Sequence, residues 1–419
     1  MAMWSLAVKS LKNRAGSATL TVLTIAISVM LLLGVEQVRT EARTSFANTV
    51  SGTDLIVGAR TGQTQLLLYS VFHIGHASNN VGWDSYRAIA AHPQVEWTIP
   101  LLLGDSHRGF RVLGTSADFF RHYRYARARA LAFSAGQPFD DLFDVVIGAQ
   151  VARELNYQIG QQVVVAHGMG STSFSRHDDK PFRIVGILAP TGTPVDRTLM
   201  VSPEAIQAIH LDFQAGVQLP GQVVSAEDAR QQDLTPTQLT AFMVGLKSRR
   251  STFALQRAIN NYRKEPLQAI LPGVALAELW SLMRVAEQAL LVVSAAVVFS
   301  GLAGLLTVLL SGLNARRREI AILRSLGARP WQLLALLTFE AALLTLLGSA
   351  LGMALLYIAI VLGQPLFEQW VGLGLEVALP STRQWIFLAL VQGAGILTGL
   401  IPGWRAYRYS LADGICIRI

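Results

Sequence analysis

The stretch Asn314–Leu334, NARRREIAILRSLGARPWQLL, carries five arginines and one glutamate between two almost purely apolar runs. On its N-terminal side Ala289–Asn314 holds no charged residue, and on its C-terminal side Trp331–Gly363 holds only Glu340. A bilayer core of ~30 Å needs about 20 apolar residues in a helix, so both flanks qualify as membrane spans. Two further uncharged stretches qualify, Gly16–Val35 and Gln384–Trp404. Only 15% of the 419 residues are charged, against about 25% in soluble chains. The deficit is concentrated in these four stretches.

Charge then orients the spans. Lys9, Lys12 and Arg14 precede the first span; Arg316, Arg317, Arg318, Arg324 and Arg329 fill the loop; Arg405, Arg408 and Arg418 follow the last span. With Glu319 and Asp413 these three places sum to +9, so the rest of a +8 chain sums to −1. Four spans put all three places on one side of the membrane, and the positive-inside rule makes that side cytoplasmic. The arginines therefore set topology, and nucleic acid is not an expected partner. The first span is too long for the ~7–15-residue core of a cleaved signal, and it reads as a retained anchor.

This orientation leaves Glu36 to about Gln288 outside the cytoplasm. All eight histidines lie there, and the only cysteine, Cys416, lies in the cytoplasmic tail. No disulfide framework is expected. DLIVGA, EWTIPLLL, RGFRVLG, DVVIG, QQVVVAHG, FRIVGIL and AFMVGLK read as strands, rich in β-branched residues and bounded by Gly, Asp or Pro. WDSYRAIAAH, AQVAREL, PEAIQAIH and TFALQRAINNYRK read as helices, the third opened by a Ser202-Pro203 cap. A polar stretch, Val217–Gln238, is expected to divide this α+β domain into two lobes. EQVRTEARTSFANTV after the first span and ALAELWSLMRVAEQAL before the second have helical character and are expected to form a paired stalk.

The expected fold class is an α-helical membrane protein with four transmembrane helices plus a large α+β periplasmic domain between helices 1 and 2. The segments are a cytoplasmic N-terminus (1–15), helix 1 (16–37), the periplasmic domain with its stalk (38–283), helix 2 (284–313), the cytoplasmic loop (314–330), helix 3 (331–363), a short periplasmic loop (364–383), helix 4 (384–404) and a cytoplasmic tail (405–419).

Within the opening stretch, Ile320, Leu323 and Gly327 fall on one helical face, with Ala321 and Arg324 beside them. Gly327 is placed to end the helix in a left-handed conformation, and Pro330 to stop it. A short amphipathic helix there can lie on lipid headgroups or dock into a groove of a cytoplasmic protein.

RRREIAILRSLGARPWQLL followed by FEAALLTLLGSALGMALL resembles the signature of FtsX-like permeases of the macrolide-exporter (MacB) type. IPGWRAYRYSLADGI is similar to the family's Pro-x-x-Arg-Ala ending. VLGTSADFF, AGQPFDDLFDVVIGAQVARELNYQIGQQVVV and FRIVGILAPTGTPVDRTLMVSPEAI resemble its periplasmic core domain. The resemblance implies that the loop is a coupling helix seated in an ATPase, with Glu319, Ile320, Leu323, Leu326 and Gly327 forming the contact. It also implies a bacterial inner-membrane location and two permease chains working with two ATPases.

The chain holds no Gly-x-x-x-x-Gly-Lys-Ser/Thr and no Gly-Lys pair at all, so the loop that cradles nucleotide phosphates is missing from it. Family members of the macrolide-exporter type carry their ATPase ahead of the first span. Here the chain begins close to that span, so ATP and Mg are expected in a separate ATPase acting in trans. Export or release of a periplasmic or membrane-derived substrate is the expected function, with a periplasmic adaptor or outer-membrane partner. The alternative is an FtsX-like signalling permease that activates a cell-wall hydrolase.

Other motifs carry less. Glu340 lies about nine residues into its span, ~14 Å deep, where a carboxylate is costly. It is expected to be held by Arg or backbone donors near the cytoplasmic side. Gly348/Gly352 and Gly395/Gly399 match small-residue helix packing, within one chain or across a dimer. His73 and His76 are i and i+3, and His177-Asp178-Asp179 is a second cluster, but neither completes the three or four converging ligands that zinc needs. Asp140, Asp141 and Asp144 read as a turn before a strand. No nucleophile set is visible, and a non-catalytic subunit is expected.

Overall fold

A computed structural model describes residues 15–126, 128–167, 180–211, 213–214, 217–218, 224–315, 322, 324–325, 327–371 and 379–408. The chain forms two compact units, one from residues 1–41 with 284–419 and one from 42–283.

The first unit is built on α-helices. The helix Ala15–Thr49 (α1) begins it, and Pro272–Ala315 (α8), Pro330–Val371 (α9) and Thr382–Arg408 (α10) complete it. All four are long and apolar enough to cross a membrane. α1 and α8 run for 35 and 44 residues, well beyond the ~20 that a bilayer core takes. α9 carries its helix eight residues past Gly363, into the segment that the sequence reading gives to a loop. Pro330 and the side chain of Gln332, which accepts from the Arg329 amide at 2.8 Å, start α9.

The glycine pairs are consumed inside the chain. A Cβ on Gly348 would sit 2.6 Å from Ile25 Cγ2, and one on Gly352 would sit 2.5 Å from the Ala26 carbonyl oxygen, so both seat α1 on α9. Cβ atoms on Gly395 and Gly399 would meet Thr345 and Ala341, seating α10 on α9. Close backbone approach maximises dispersion contact where no hydrophobic drive separates helix from lipid. Ile25, Val29, Leu305, Leu309, Leu344, Leu356 and Val391 fill the centre.

The second unit centres on one mixed sheet. Its main strands are β1 (Leu55–Ala59), β2 (Val95–His107), β3 (Phe110–Gly114), β4 (Phe133–Gly136), β5 (Asp144–Ile147), β6 (Phe182–Leu188), β7 (Thr198–Val201), β8 (Ala241–Leu246) and β9 (Leu267–Ile270). Their spatial order is β9-β1-β8-β2-β3-β7-β5-β6-β4. The β3–β7 and β5–β6 pairs are parallel and the others antiparallel.

Alternate residues go to opposite faces of a strand. Ile56, Met243, Leu113, Val146 and Met200 join one core that runs under the whole sheet. On the other face Leu55, Val57, Phe242 and Val244 form one cluster, and Val112, Val145, Ile147, Leu199 and Val201 another. Both faces are covered, so the strands read as continuous apolar runs.

This arrangement corrects the two-lobe expectation. The halves share β2, whose first residues pair with β8 and whose last pair with β3 across a bulge. The first half is assembled from segments before and after the polar stretch Val217–Gln238, so that stretch marks the return of the chain from the second half to the first within one sheet.

Helix α2 (Gln63–Val71) buries Leu66, Leu67 and Tyr69 against the continuous core, and Gly58 leaves room for Leu66 and Tyr69. On the divided face α3 (Trp83–Ala90) and α7 (Thr252–Asn260) cover one half. There α7 buries Thr252, Leu255 and Ile259. α5 (Ala149–Leu155) and α6 (Pro203–Ile209) cover the other. α4 (Asp118–His122) adds Phe119 and Phe120 to the continuous core. Ser202 caps α6 by accepting from the Ala205 amide at 3.1 Å, as the Ser-Pro pair predicts.

Candidate coupling site and the outer ion cluster

Of the residues assigned to the coupling contact, Glu319, Ile320, Leu323 and Leu326 lie outside the described residues. Gly327 is described. It has φ +96° and donates its amide to the Arg324 carbonyl at 3.0 Å. Ile322, Arg324 and Ser325 before it are helical. A residue with a Cβ is strained at that φ, so glycine is what lets the short helix end and the chain turn into α9. Ile322 is exposed here, and so is Trp331 at the start of α9.

Glu340 is only 4% exposed within the helical unit and is not without a partner. Four buried hydroxyls of the bundle are bonded to carbonyls of their own helices, whereas Ser349 Oγ is buried with no partner among the described residues. Thr21 donates to Ser17 O at 2.9 Å, Ser28 to Thr24 O at 2.8 Å, Ser294 to Leu290 O at 2.9 Å and Thr345 to Ala341 O at 2.8 Å. Hydroxyls turned onto their own carbonyls do not line a polar path.

The opposite end of the same bundle holds an ion cluster that sequence reasoning missed. Arg39 Nη1 donates to Glu36 Oε2 at 2.9 Å, and its Nε donates to Glu287 Oε2 at 2.9 Å. Arg383 Nη1 lies 3.7 Å from Glu36 Oε1. Beside them Gln384 Nε2 donates to Gln37 Oε1 at 2.9 Å. The Glu36 side chain is 2% exposed. Three helices, α1, α8 and α10, are thereby tied at one level. In sequence each of these residues merely borders a span; only the fold brings positions 36, 287 and 383 together.

Among the described residues no group of three or more His, Cys, Asp or Glu could hold an ion. His73 has φ +55° and pairs its Nδ1 with Thr198 Oγ1 at 3.2 Å. Burial, with Arg111 nearby, lowers its pKa to about 4. His76 is exposed. His177, Asp178 and Asp179 lie outside the described residues.

The aspartates form the expected turn. Asp144 accepts from the Asp141 amide at 3.0 Å and from Arg183 at 3.2 Å. Asp141 takes the Arg230 guanidinium through both oxygens, which holds its carboxyl below the usual range. A second buried turn was not foreseen. Asp196 accepts from the Thr191 amide and hydroxyl and from the Gly192 amide, all within 3.0 Å. Burial nevertheless raises its pKa.

Comparison with known proteins fits this architecture. The family of MacB-like periplasmic core domains matches residues 18–262, and that of the FtsX-like permease C-terminal domain matches residues 291–411. The chain belongs to the FtsX/MacB-type permease family. It is a multi-pass membrane protein with a periplasmic-type domain between its first two membrane helices.

Among curated relatives, the macrolide export ATP-binding/permease protein MacB of Salmonella choleraesuis (strain SC-B67) is 25% identical over 337 residues, 78% of this chain and 46% of that protein. MacB of Salmonella typhimurium gives the same values. The chain thus spans about half the length of the curated relatives it matches. Among solved structures, the periplasmic region of MacB from Actinobacillus actinomycetemcomitans aligns at a TM-score of 0.34 and 8% identity, over 55% of this chain and 94% of that one. The extracellular domain of the noncanonic ABC-type transporter YknZ from Gram-positive bacteria aligns at 0.31 and 11%, over 52% and 99%.

Proposed function

We propose that the protein is the permease subunit of an ABC transporter. A separate ATPase, holding ATP and Mg, would drive it through the loop at Glu319, Ile320, Leu323, Leu326 and Gly327. Two permease chains would work together in the bacterial inner membrane, moving their periplasmic domains to export or release a periplasmic or membrane-derived substrate, with an adaptor or outer-membrane protein beyond. The permease itself performs no chemistry in this reading.

The observation that carries the reading is the length of α1 and α8. Each is one unbroken helix that outruns a bilayer core, and a continuous hydrogen-bonded helix carries displacement along its axis. The bundle interior, where the hydroxyls of Thr21, Ser28, Ser294 and Thr345 are bonded to their own helices, suits motion transfer better than passage of a solute through the helices.

The test is Leu323→Asp in the full chain with its ATPase. A carboxylate on the apolar face of the loop should leave the outer domain folded and leave ATP hydrolysis running. Hydrolysis should then no longer drive transport, so the variant should fail to complement. Full complementation by the variant would rule out docking through this face.

A further inference from the structure

Positive charge in the outer unit is concentrated on one short segment. Residues 42–283 carry 21 Lys/Arg against 19 Asp/Glu, a net of +2. Residues 247–265 alone carry six Lys/Arg and one Glu, a net of +5, which leaves −3 for the rest of the unit. Within that segment lies α7, whose inward side is Thr252, Leu255 and Ile259. The 3.6-residue period places Arg250, just ahead of the helix, with Phe253 and Arg257 on the opposite side. All three are exposed. Phe253, at 72%, is the most exposed large apolar side chain of the outer unit among the described residues.

These cations differ from other exposed arginines of the unit. Arg87, Arg121, Arg183 and Arg230 each lie within 4 Å of an aspartate. Arg250, Arg257, Arg263 and Lys264 have no acid within that distance among the described residues. Arg249 reaches only Asp54, at 3.9 Å. The helix itself gains nothing from the first two. α7 has no acid in its first turn, and Arg249 and Arg250 stand at its N-terminal end, where the helix dipole opposes positive charge. Packing of Leu255 and Ile259 explains the inward side of α7; the outward side faces solvent.

We propose that the outward side of α7 is a docking face for a second protein, one that presents an acidic groove with an apolar socket for Phe253. This inference rests on the reading above that a further protein works with the outer unit, and it adds the face and the chemistry of their contact. Arginine and aromatic side chains are enriched among the groups that carry the energy of protein contacts. Arg250 and Arg257 flank Phe253 three positions before and four after it. Carboxylates on the walls of a groove would each meet a guanidinium while the ring fills its floor. Lipid fits this face less well. A helix lying on a membrane buries a broad apolar face, whereas the apolar side of α7 is already in the core and its outward side offers one large apolar residue. Small-molecule sites are concave, and an exposed helix ridge is convex.

The test uses the full chain in cells of its native host. The photo-reactive p-benzoylphenylalanine replaces Phe253, or Ile74 or Ile159 as exposed positions elsewhere on the unit. Irradiation is expected to give a protein adduct at Phe253 about tenfold or more above the other two, cross-linked to a segment rich in Asp and Glu. Arg250→Glu with Arg257→Glu should cut that adduct about tenfold or more, because like charges across a contact repel. Arg250→Gln with Arg257→Gln should weaken it in the same direction, and Arg121→Glu, an exposed position on α4, should leave it unchanged. Exchanging the partner's cross-linked acids for lysine should restore the adduct to the doubly reversed chain.

An adduct that survives the double reversal, that carries a phospholipid, or that joins two copies of this chain would overturn the proposal. So would adducts at Ile74 or Ile159 alone. An outer protein that co-purifies equally with the wild type and with the doubly reversed chain would sink the face and leave the further-protein reading standing. No outer protein with the wild type would sink both.

Discussion

Replacing Arg39 with alanine should loosen the outer end of the helical unit more than any other single charge removal there. Arg39 makes 2.9 Å contacts to both Glu36 and Glu287, and its side chain is only 15% exposed. Without it, Glu36, at 2% exposed, keeps Arg383 at 3.7 Å, whose guanidinium is largely in solvent. Breaking a buried pair by removing one partner costs about 3–5 kcal/mol. The remaining exposed Arg383 partly offsets the loss, leaving about 2–3 kcal/mol.

For a unit of this size about 1 kcal/mol moves the melting temperature by roughly 2–4 °C, so the shift should be roughly 5–10 °C. Trp385, two residues from Arg383, offers a local fluorescence probe for melting of the full chain in lipid nanodiscs. Removing both charges, as Glu36→Gln with Arg39→Gln, should cost less than the sum of the single changes, by about 1 kcal/mol or more. A melting shift under about 2 °C for Arg39→Ala, or strict additivity in the cycle, would refute the argument that the cluster ties the helices.

Three further outcomes follow from the packing and the titrating groups. Gly352→Ala places a methyl 2.5 Å from the Ala26 carbonyl oxygen and 3.0 Å from Val29 Cβ. It should cost about 1–3 kcal/mol, read as earlier melting of the helical unit, whereas Gly393→Ala, which meets nothing within 4 Å, should not. His73 holds its pKa near 4 in the folded domain against about 6.5 unfolded. Between those values the unfolded chain takes up a proton that the folded one refuses. Stability from this group is therefore full above about 6.5, falls as pH drops to about 4, and levels off below. His73→Asn keeps a residue that tolerates φ +55° and should flatten that limb, measured as melting temperature against pH relative to wild type. Asp196→Ala strips the acceptor from the Thr191 and Gly192 amides, and should cost about 1–3 kcal/mol with faster amide exchange confined to residues 191–197.

Much of the outer unit is legible in its residues. Runs such as DLIVGA and AFMVGL become strands because β-branched and apolar residues fill both faces of a sheet covered on both sides. Helix α2 is not legible. Its three consecutive leucines show no amphipathic period, and only Gly58 beneath Leu66 and Tyr69 explains why the segment packs where it does. Strand β9 is equally hidden, since LQAI is short and gains its identity from pairing with β1.

In the helical unit the glycine pairs announce close packing, but their partners are fixed only by tertiary structure: Ile25 and Ala26 for one pair, Thr345 and Ala341 for the other. In the loop before α9, glycine at 327 is legible as a left-handed stop because no other residue adopts φ +96° without strain. The ion cluster shows why some site chemistry escapes a linear reading. Each charge looks like an ordinary span border until three helices bring it within 4 Å of the others.

The pairing of β1 with β9 has a consequence for modularity. β1 is the first strand after α1, and β9 is the last before α8. They lie side by side, Ile56 opposite Ile270 and Val57 opposite Ala269. Neighbouring strands are about 4.8 Å apart. The chain thus enters and leaves the outer unit through adjacent doorways, as a cassette inserted between two helices. A domain whose first and last strands are similarly adjacent would meet the chain at the same place, provided it also covers Ala275, which α8 buries in this core. The joint between helices and sheet is therefore a single local feature of the chain, addressable by gene fusion at one site.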